Sequence, residues 1–289
     1  MNKSELLDGY GLSCIENFFL YQLKSSYVGW TNVFYKSYLS FYRIFIDFYI
    51  HKKEYAYYDG IPRIHHTAED LNLCTIIYSD QDKIDDIFQK TSLAAICVTP
   101  ESIYKKYKTK LLRDDHYIFI KKSEQDVFHY LNDFPRDEGE VTMEILKKMF
   151  CKKSIWFMFN TSNIANIDVR ELSSVFYDSV LNCECGNIEE ILVDEADIDI
   201  DVARDALGVL RVIIRRTAAF CEKDIEVCFL KEYFQIIDQC FTSIEYKRIR
   251  KRYDQNEIKE LMKNIAKKDK VVREELIKRM GDIYGGDRR

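Results

Sequence analysis

The sequence predicts an α+β fold, with helices packed on an antiparallel sheet in the first half and a mostly helical second region. Three observations lead there. Glycine (10) and proline (3) are scarce among 289 residues, whereas Tyr (20) and Phe (18) are plentiful. Few chain breakers favour long helices over a turn-rich all-β fold. Residues 113–135 read as a β-hairpin: a β-branched and aromatic run opened by His116, a polar stretch over 121–126, then a second run over 127–131 that ends on Asn132 and Asp133. From about residue 161 the apolar spacing settles to a period near 3.6.

The elements follow in order. After a short polar lead, Ser13 is placed to cap a helix that opens at Cys14, with Glu16 three residues on completing a capping box. Residues 27–50 continue as helix, with a dense aromatic face that includes Tyr35, Tyr38, Phe41, Phe45 and Phe48. Residues 54–66 read as irregular and 70–76 as a short α or mixed piece. Residues 82–90 read as helix and 93–98 as a short buried strand stopped by Thr99 and Pro100. A connector over 101–112 leads to the hairpin. Residues 136–140 read as a turn, 141–150 as an amphipathic helix capped by Thr142, and 154–159 as a strand. Helices are predicted over 169–181, 188–192, 202–221, 225–245, 255–267 and 271–283. This places one boundary near 160: a catalytic domain over 1–160 and a helical domain, lid or pocket wall, over 161–289.

Composition excludes several classes. A net charge of -5 gives no basis for non-specific nucleic-acid binding. The first residues lack the apolar run of a signal peptide, and the most apolar long piece, 27–50, carries Lys36, Arg43 and Asp47, so neither export nor a membrane partner is expected. Nine scattered cysteines without an export signal imply free thiols in a reducing, cytoplasmic compartment. No glycine-rich phosphate loop or metal motif occurs, so no cofactor is expected. His65 and His66 fit a structural or surface role, since no second ligand cluster follows. Cys183 and Cys185 have no matching pair for zinc. The acidic run Asp194, Glu195, Asp197, Asp199 and Asp201 lacks the glycine and terminal glutamate of a calcium loop and reads as a solvated connector. The basic cluster over 247–252 reads as a solvated face, or as a dock for an acidic carrier protein.

One constellation carries chemistry. A cysteine at the first position of a helix meets unpaired backbone N–H groups and the positive end of the helix dipole, which favour a thiolate. An imidazole at the start of one hairpin strand and a carboxylate at the end of the other are brought close by antiparallel pairing. Cys14 as nucleophile, His116 as base and Asp133 as orienting acid therefore make a triad in the chain order of papain-like cysteine enzymes. Asn132 competes with Asp133 for the third place. Strand neighbours face opposite sides, so only one can reach His116. His129, in mid-strand, reads as a partly exposed sheet residue. The zone a few residues ahead of Cys14, Glu5-Leu6-Leu7-Asp8-Gly9, offers no Gln or Asn, so an oxyanion hole has to lean on backbone N–H groups at the helix start.

The run from Ala94-Ala95-Ile96-Cys97-Val98 through Tyr104, His116-Tyr117-Ile118-Phe119-Ile120, Leu131-Asn132-Asp133-Phe134-Pro135 and Val141-Thr142-Met143-Glu144-Ile145-Leu146 resembles the N-terminal domain of the butirosin biosynthesis protein H family. It is more remotely similar to bacteriocin-leader-cleaving cysteine peptidases. The resemblance covers roughly residues 8–150 and implies a papain-like fold. It implies acyl transfer in antibiotic assembly: an acyl group leaves the phosphopantetheine thioester of a carrier protein, and a small amine accepts it as an amide. Cys14 would carry the acyl group, His116 move the proton, and Asp133 hold the imidazole. A papain-like peptidase or amidase is the alternative, and a non-catalytic helical binding protein a third reading.

Overall fold

A computed structural model describes residues 9–108, 116–123, 127–133, 136–160, 167–192 and 197–284. The Phe134-Pro135 corner, Asp194 and Glu195 of the acidic run, and the last five residues lie outside these, as do the side chains of Tyr104 and Tyr107.

In chain order the elements are α1 (Cys14–Ser26), α2 (Phe41–Tyr49), α3 (Ile64–Asp70), β1 (Cys74–Ser79), α4 (Ile84–Lys90), β2 (Leu93–Val98), α5 (Pro100–Tyr107), β3 (His116–Lys122) and β4 (Phe128–Asn132). Then come β5 (Asp137–Val141), α6 (Met143–Met149), β6 (Phe150–Phe159), α7 (Val169–Asn182), α8 (Ile188–Ile191), α9 (Ile200–Cys221), α10 (Cys228–Arg250) and α11 (Gln255–Tyr284). The class is α+β: N-terminal helices, one six-stranded antiparallel sheet and a helical C-terminal region.

The chain divides into two units, and the division differs from a single cut near 160. One unit comprises residues 1–30 and 64–167; the other comprises 31–63 and 168–289. The segment expected as one helix over 27–50 is interrupted. A 3-10 turn, Trp30–Phe34, precedes α2, whose start is set by Ser40: its side chain accepts the Arg43 N–H at 3.2 Å. The aromatic face of α2 then packs within the helical unit, mainly on α9.

In the first unit the strand order is β1-β6-β2-β3-β4-β5, with every neighbouring pair antiparallel. Alternation along the strands separates two apolar layers. On one face Ile96, Val98, Ile118, Ile120 and Phe128 pack with Ile84, Ile87 and Phe88 of α4, Ile103 of α5 and Leu146 of α6. On the other, Ala95, Phe119 and Leu131 pack against Phe18 of α1, with Cys14, Tyr21 and Tyr117 at the margin. Phe18 stacks on Phe119, with centroids 5.0 Å apart and planes at 16°. Burying each of these rings contributes about 2–3 kcal/mol. The β2–β6 register shifts between Ile96 and Val98. Such an irregularity bends the strand locally, here at the end where Val98 faces His116.

The second unit is built on α9, which buries Leu207, Leu210, Ile213 and Phe220 and packs against both α10 and α2. Helices α7 and α8 pack on α11. The two predicted helices over 255–267 and 271–283 are one continuous helix. The residues expected to separate them include Asp269, which is buried inside the unit and accepts hydrogen bonds from the Phe41 N–H at 2.8 Å and the Tyr233 hydroxyl at 3.1 Å.

Candidate active site

The start of α1 is held by two side chains. Ser13 caps it, accepting the Glu16 N–H at 3.3 Å. Glu16 does not close the reciprocal half of a capping box. Its fully buried carboxylate instead accepts the Leu12 N–H at 2.6 Å and the Ile64 N–H at 2.8 Å. One carboxylate thus ties the approach to α1 and the start of α3 to the same helix turn. Cys14, half-buried at the first position of α1, is fixed by this clamp.

Three backbone N–H groups, those of Tyr117, Ile15 and Cys14 itself, favour negative charge on the Cys14 sulfur. They are outweighed. Burial, and next the negative charge of Asp133, push the thiol up to about 11. At neutral pH Cys14 therefore rests as a thiol.

His116 is the first residue of β3. Its ring Nε2 lies 2.7 Å from Asn132 Oδ1, and Asn132 has no solvent exposure. An amide oxygen accepts only, so this geometry makes Nε2 the protonated nitrogen and leaves the Nδ1 lone pair as the base. Asn132 stands next to Leu131 on β4 and shares its face with Tyr130, as His116 shares its face with Ile118. The imidazole and the amide therefore meet on the side of the sheet that α5 and α6 cover.

Asp133 points the other way. Its Oδ2 accepts the side-chain N–H of Asn17 at 3.1 Å, and Asn17 sits one turn beyond Cys14 on α1. The residue sequence reasoning set on the imidazole is thus placed beside the thiol, and its rival Asn132 is placed on the imidazole. Parity along β4 decides between them. The phase was not readable from residue types, because both neighbours are short, polar and able to hydrogen-bond a histidine.

Cys14 and His116 approach the same end of β3 from opposite faces: the thiol lies on the backbone of Tyr117, and the ring projects from the residue before it. Among the described residues no hydrogen bond joins the thiol to the ring. His129 is half-exposed, pairs across the sheet with Glu140 of β5, and holds its Nδ1 3.5 Å from that carboxylate. His65 is buried against Phe19 and Phe157. Among the described residues no group of His, Cys, Asp or Glu is arranged to hold a metal, and no helix is long and apolar enough to cross a membrane.

The chemical capacity of the site is a thiol ringed by backbone donors, with an oriented imidazole one residue along the strand. The chain matches no family model, no curated protein and no solved structure.

Proposed function

We propose that the sheet-bearing unit is a papain-like cysteine acyltransferase, with Cys14 as nucleophile, His116 as base and then acid, and Asn132 as the group that fixes the imidazole. The observation that carries the reading is the 2.7 Å contact from His116 Nε2 to the buried Asn132 oxygen. A buried amide that locks one histidine tautomer at the first residue of a strand, one residue before the Tyr117 N–H that meets the helix-start thiol, is the positioning half of a nucleophile-activating device.

The donor is a carrier-protein thioester and the acceptor a small amine. His116 Nδ1 takes the thiol proton as Cys14 Sγ attacks the thioester carbonyl. The carrier thiolate leaves with that proton, and the acyl group stays on Cys14. The exchange is nearly isoenergetic, because one thioester replaces another. The amine then attacks the Cys14 thioester and gives a proton through His116 to the departing Cys14 sulfur. Backbone N–H groups at the start of α1 are the available donors for the oxyanion. A thiol resting near 11 fits transfer of its proton during attack rather than a standing ion pair. The ring has to turn toward Tyr117 as substrate binds. Catalytic hydrogen bonds are often loose before the complex forms, and His116, the first residue of its strand, is only partly buried.

A second reading is favoured by two of the same facts: the high-lying thiol and its place on the opposite face from the ring fit a packed cysteine with no chemistry. Mass spectrometry of the chain with an acyl-loaded carrier protein and trial amines separates the readings. The transferase predicts a Cys14-bound acyl intermediate and an amide product. Cys14→Ala abolishes both, His116→Ala lowers the rate by about a hundredfold or more, and Asn132→Ala by at least about tenfold. Free acid with every amine tried identifies a hydrolase. An unmodified Cys14 with every donor sinks both enzymatic readings.

A further inference from the structure

We infer that the turn joining α10 to α11, residues 246–253, is a docking tip for an anionic lipid surface. In the sequence residues 247–252 read as a solvated basic face or as a dock for an acidic carrier protein, and no membrane partner was expected. Three structural observations change that reading.

The first is the state of the cations. Residues 246–253 hold five basic side chains and no acidic one, in a chain of net charge -5. Lys247 pairs with Glu257, and Arg248 with Glu245 and Asp201. Arg250, Lys251 and Arg252 are exposed and make no ion pair among the described residues. Arg250 lies over the Tyr246 ring at 5.3 Å.

The second is the apolar content. Ile249 is 71% exposed, Tyr246 62% and Tyr253 43%. Tyr246, Ile249 and Arg250 follow at intervals of three and one residues, which puts them on one stripe of the last turns of α10, and Tyr253 follows in the connection just beyond the helix end. Ile244, one residue pair inward, is buried, so the stripe faces away from the unit's own core. A large aliphatic side chain this exposed between two tyrosines and three unpaired cations is a patch awaiting a surface.

The third is shape and size. Lys251 adopts the left-handed conformation, φ 52°, and ends α10 with its N–H on the Arg248 and Lys247 carbonyls. The chain therefore reverses at a projecting point. Eight residues at a turn offer far less than the roughly 800 Å² per partner that a stable protein complex uses. A bilayer needs no complementary groove. Tyrosines settle at the headgroup level, the isoleucine reaches the acyl boundary, and cations gain from anionic headgroups. These eight residues carry five positive charges in a chain of net charge -5, which marks this tip as a place where such a surface can be met.

Sedimentation of the full chain with phosphatidylcholine vesicles, with and without phosphatidylglycerol, tests the inference. Binding is expected only with phosphatidylglycerol and is expected to weaken with salt. Each cation near an anionic surface is worth about fivefold in partitioning, so Arg250→Gln, Lys251→Asn and Arg252→Gln together should weaken binding by about a hundredfold. Asn is chosen at 251 because it tolerates the left-handed conformation. All three positions are exposed, and an unchanged melting temperature shows that the fold is intact. Ile249→Ser should weaken binding with the charge held constant. Absence of phosphatidylglycerol-dependent sedimentation, or equal binding by the triple variant, overturns the proposal. So does tight binding to soluble poly-glutamate that ignores Ile249→Ser, because it would identify an acidic protein as the partner.

Discussion

Asn132 and Asp133 differ by one step along β4 and do opposite things. Asn132 holds the imidazole tautomer from within a dry layer. Asp133 sits with Asn17 and sets a negative charge near the Cys14 thiol. A carboxylate there opposes ionisation of the sulfur, so Asp133→Asn should lower the Cys14 pKa. The pH profile of iodoacetamide alkylation at Cys14 checks this: its midpoint is expected near 11 in the parent and below that in the variant. An unchanged profile would mean that Asp133 does not act on the thiol. The residue types of this site were legible in the sequence, as was the helix-start position of Cys14. The parity of β4 was not, because the corner after Asp133 gives no local signal for which neighbour turns inward. Glu16 was read as a local cap. It is instead a long-range tie to Ile64, which no pattern confined to one helix turn can reveal.

Among the elements, legibility followed burial. Strands β2, β3 and β4 carry apolar runs and were readable. β5 was read as a turn because four of its five residues are Asp, Glu, Gly and Glu; it is an edge strand with alternating exposure, where charge protects the open edge. α11 was read as two helices because charged residues interrupt its apolar spacing near 268–270. The cause of the error is Asp269, a carboxylate on the buried side of the helix. Burial pushes it up to about 6, against the Phe41 N–H, the Tyr233 hydroxyl and Arg273, which favour its charge. Its folded pKa lies above the ordinary carboxylate value, so the native state holds this proton more tightly than the unfolded chain does. Stability from this group is complete below about pH 4 and declines as pH rises to about 6. The shift corresponds to about 3 kcal/mol. Asp269→Asn should flatten that part of the stability-pH curve, as read by urea unfolding at pH 4 and pH 7. A parent curve with no fall across this window would contradict the assignment.

At the level of the whole molecule, the chain passes between its two units at three points, near residues 30, 63 and 167. A single boundary was the natural reading, because the change of periodicity near 161 is the loudest signal and 27–50 reads as a continuation of the helix that opens at Cys14. What assigns 31–63 to the helical unit is the packing of α2 on α9, a pairing too distant in sequence to read from local pattern. A fragment ending at residue 167 keeps the sheet and the Cys14 site but leaves Phe41, Ile44, Phe45 and Phe48 without α9 to cover them. It is expected to aggregate. Joining residue 30 to residue 64 through a short Gly-Ser linker in the same fragment should restore a soluble sheet unit, measured by size-exclusion chromatography and hydrogen exchange across β2–β4. A monodisperse fragment that still carries 31–63 would refute this account.

The three passages also impose a schedule on the newborn chain. The greasy faces of α2 leave the ribosome well before the helix that shelters them, Ile200–Cys221, which lies about 150 residues further along the chain. At ordinary elongation speeds that interval is on the order of ten seconds. Throughout it the cell must shield a stretch of exposed phenylalanines, and chaperone supply during translation becomes part of what determines the yield of this protein.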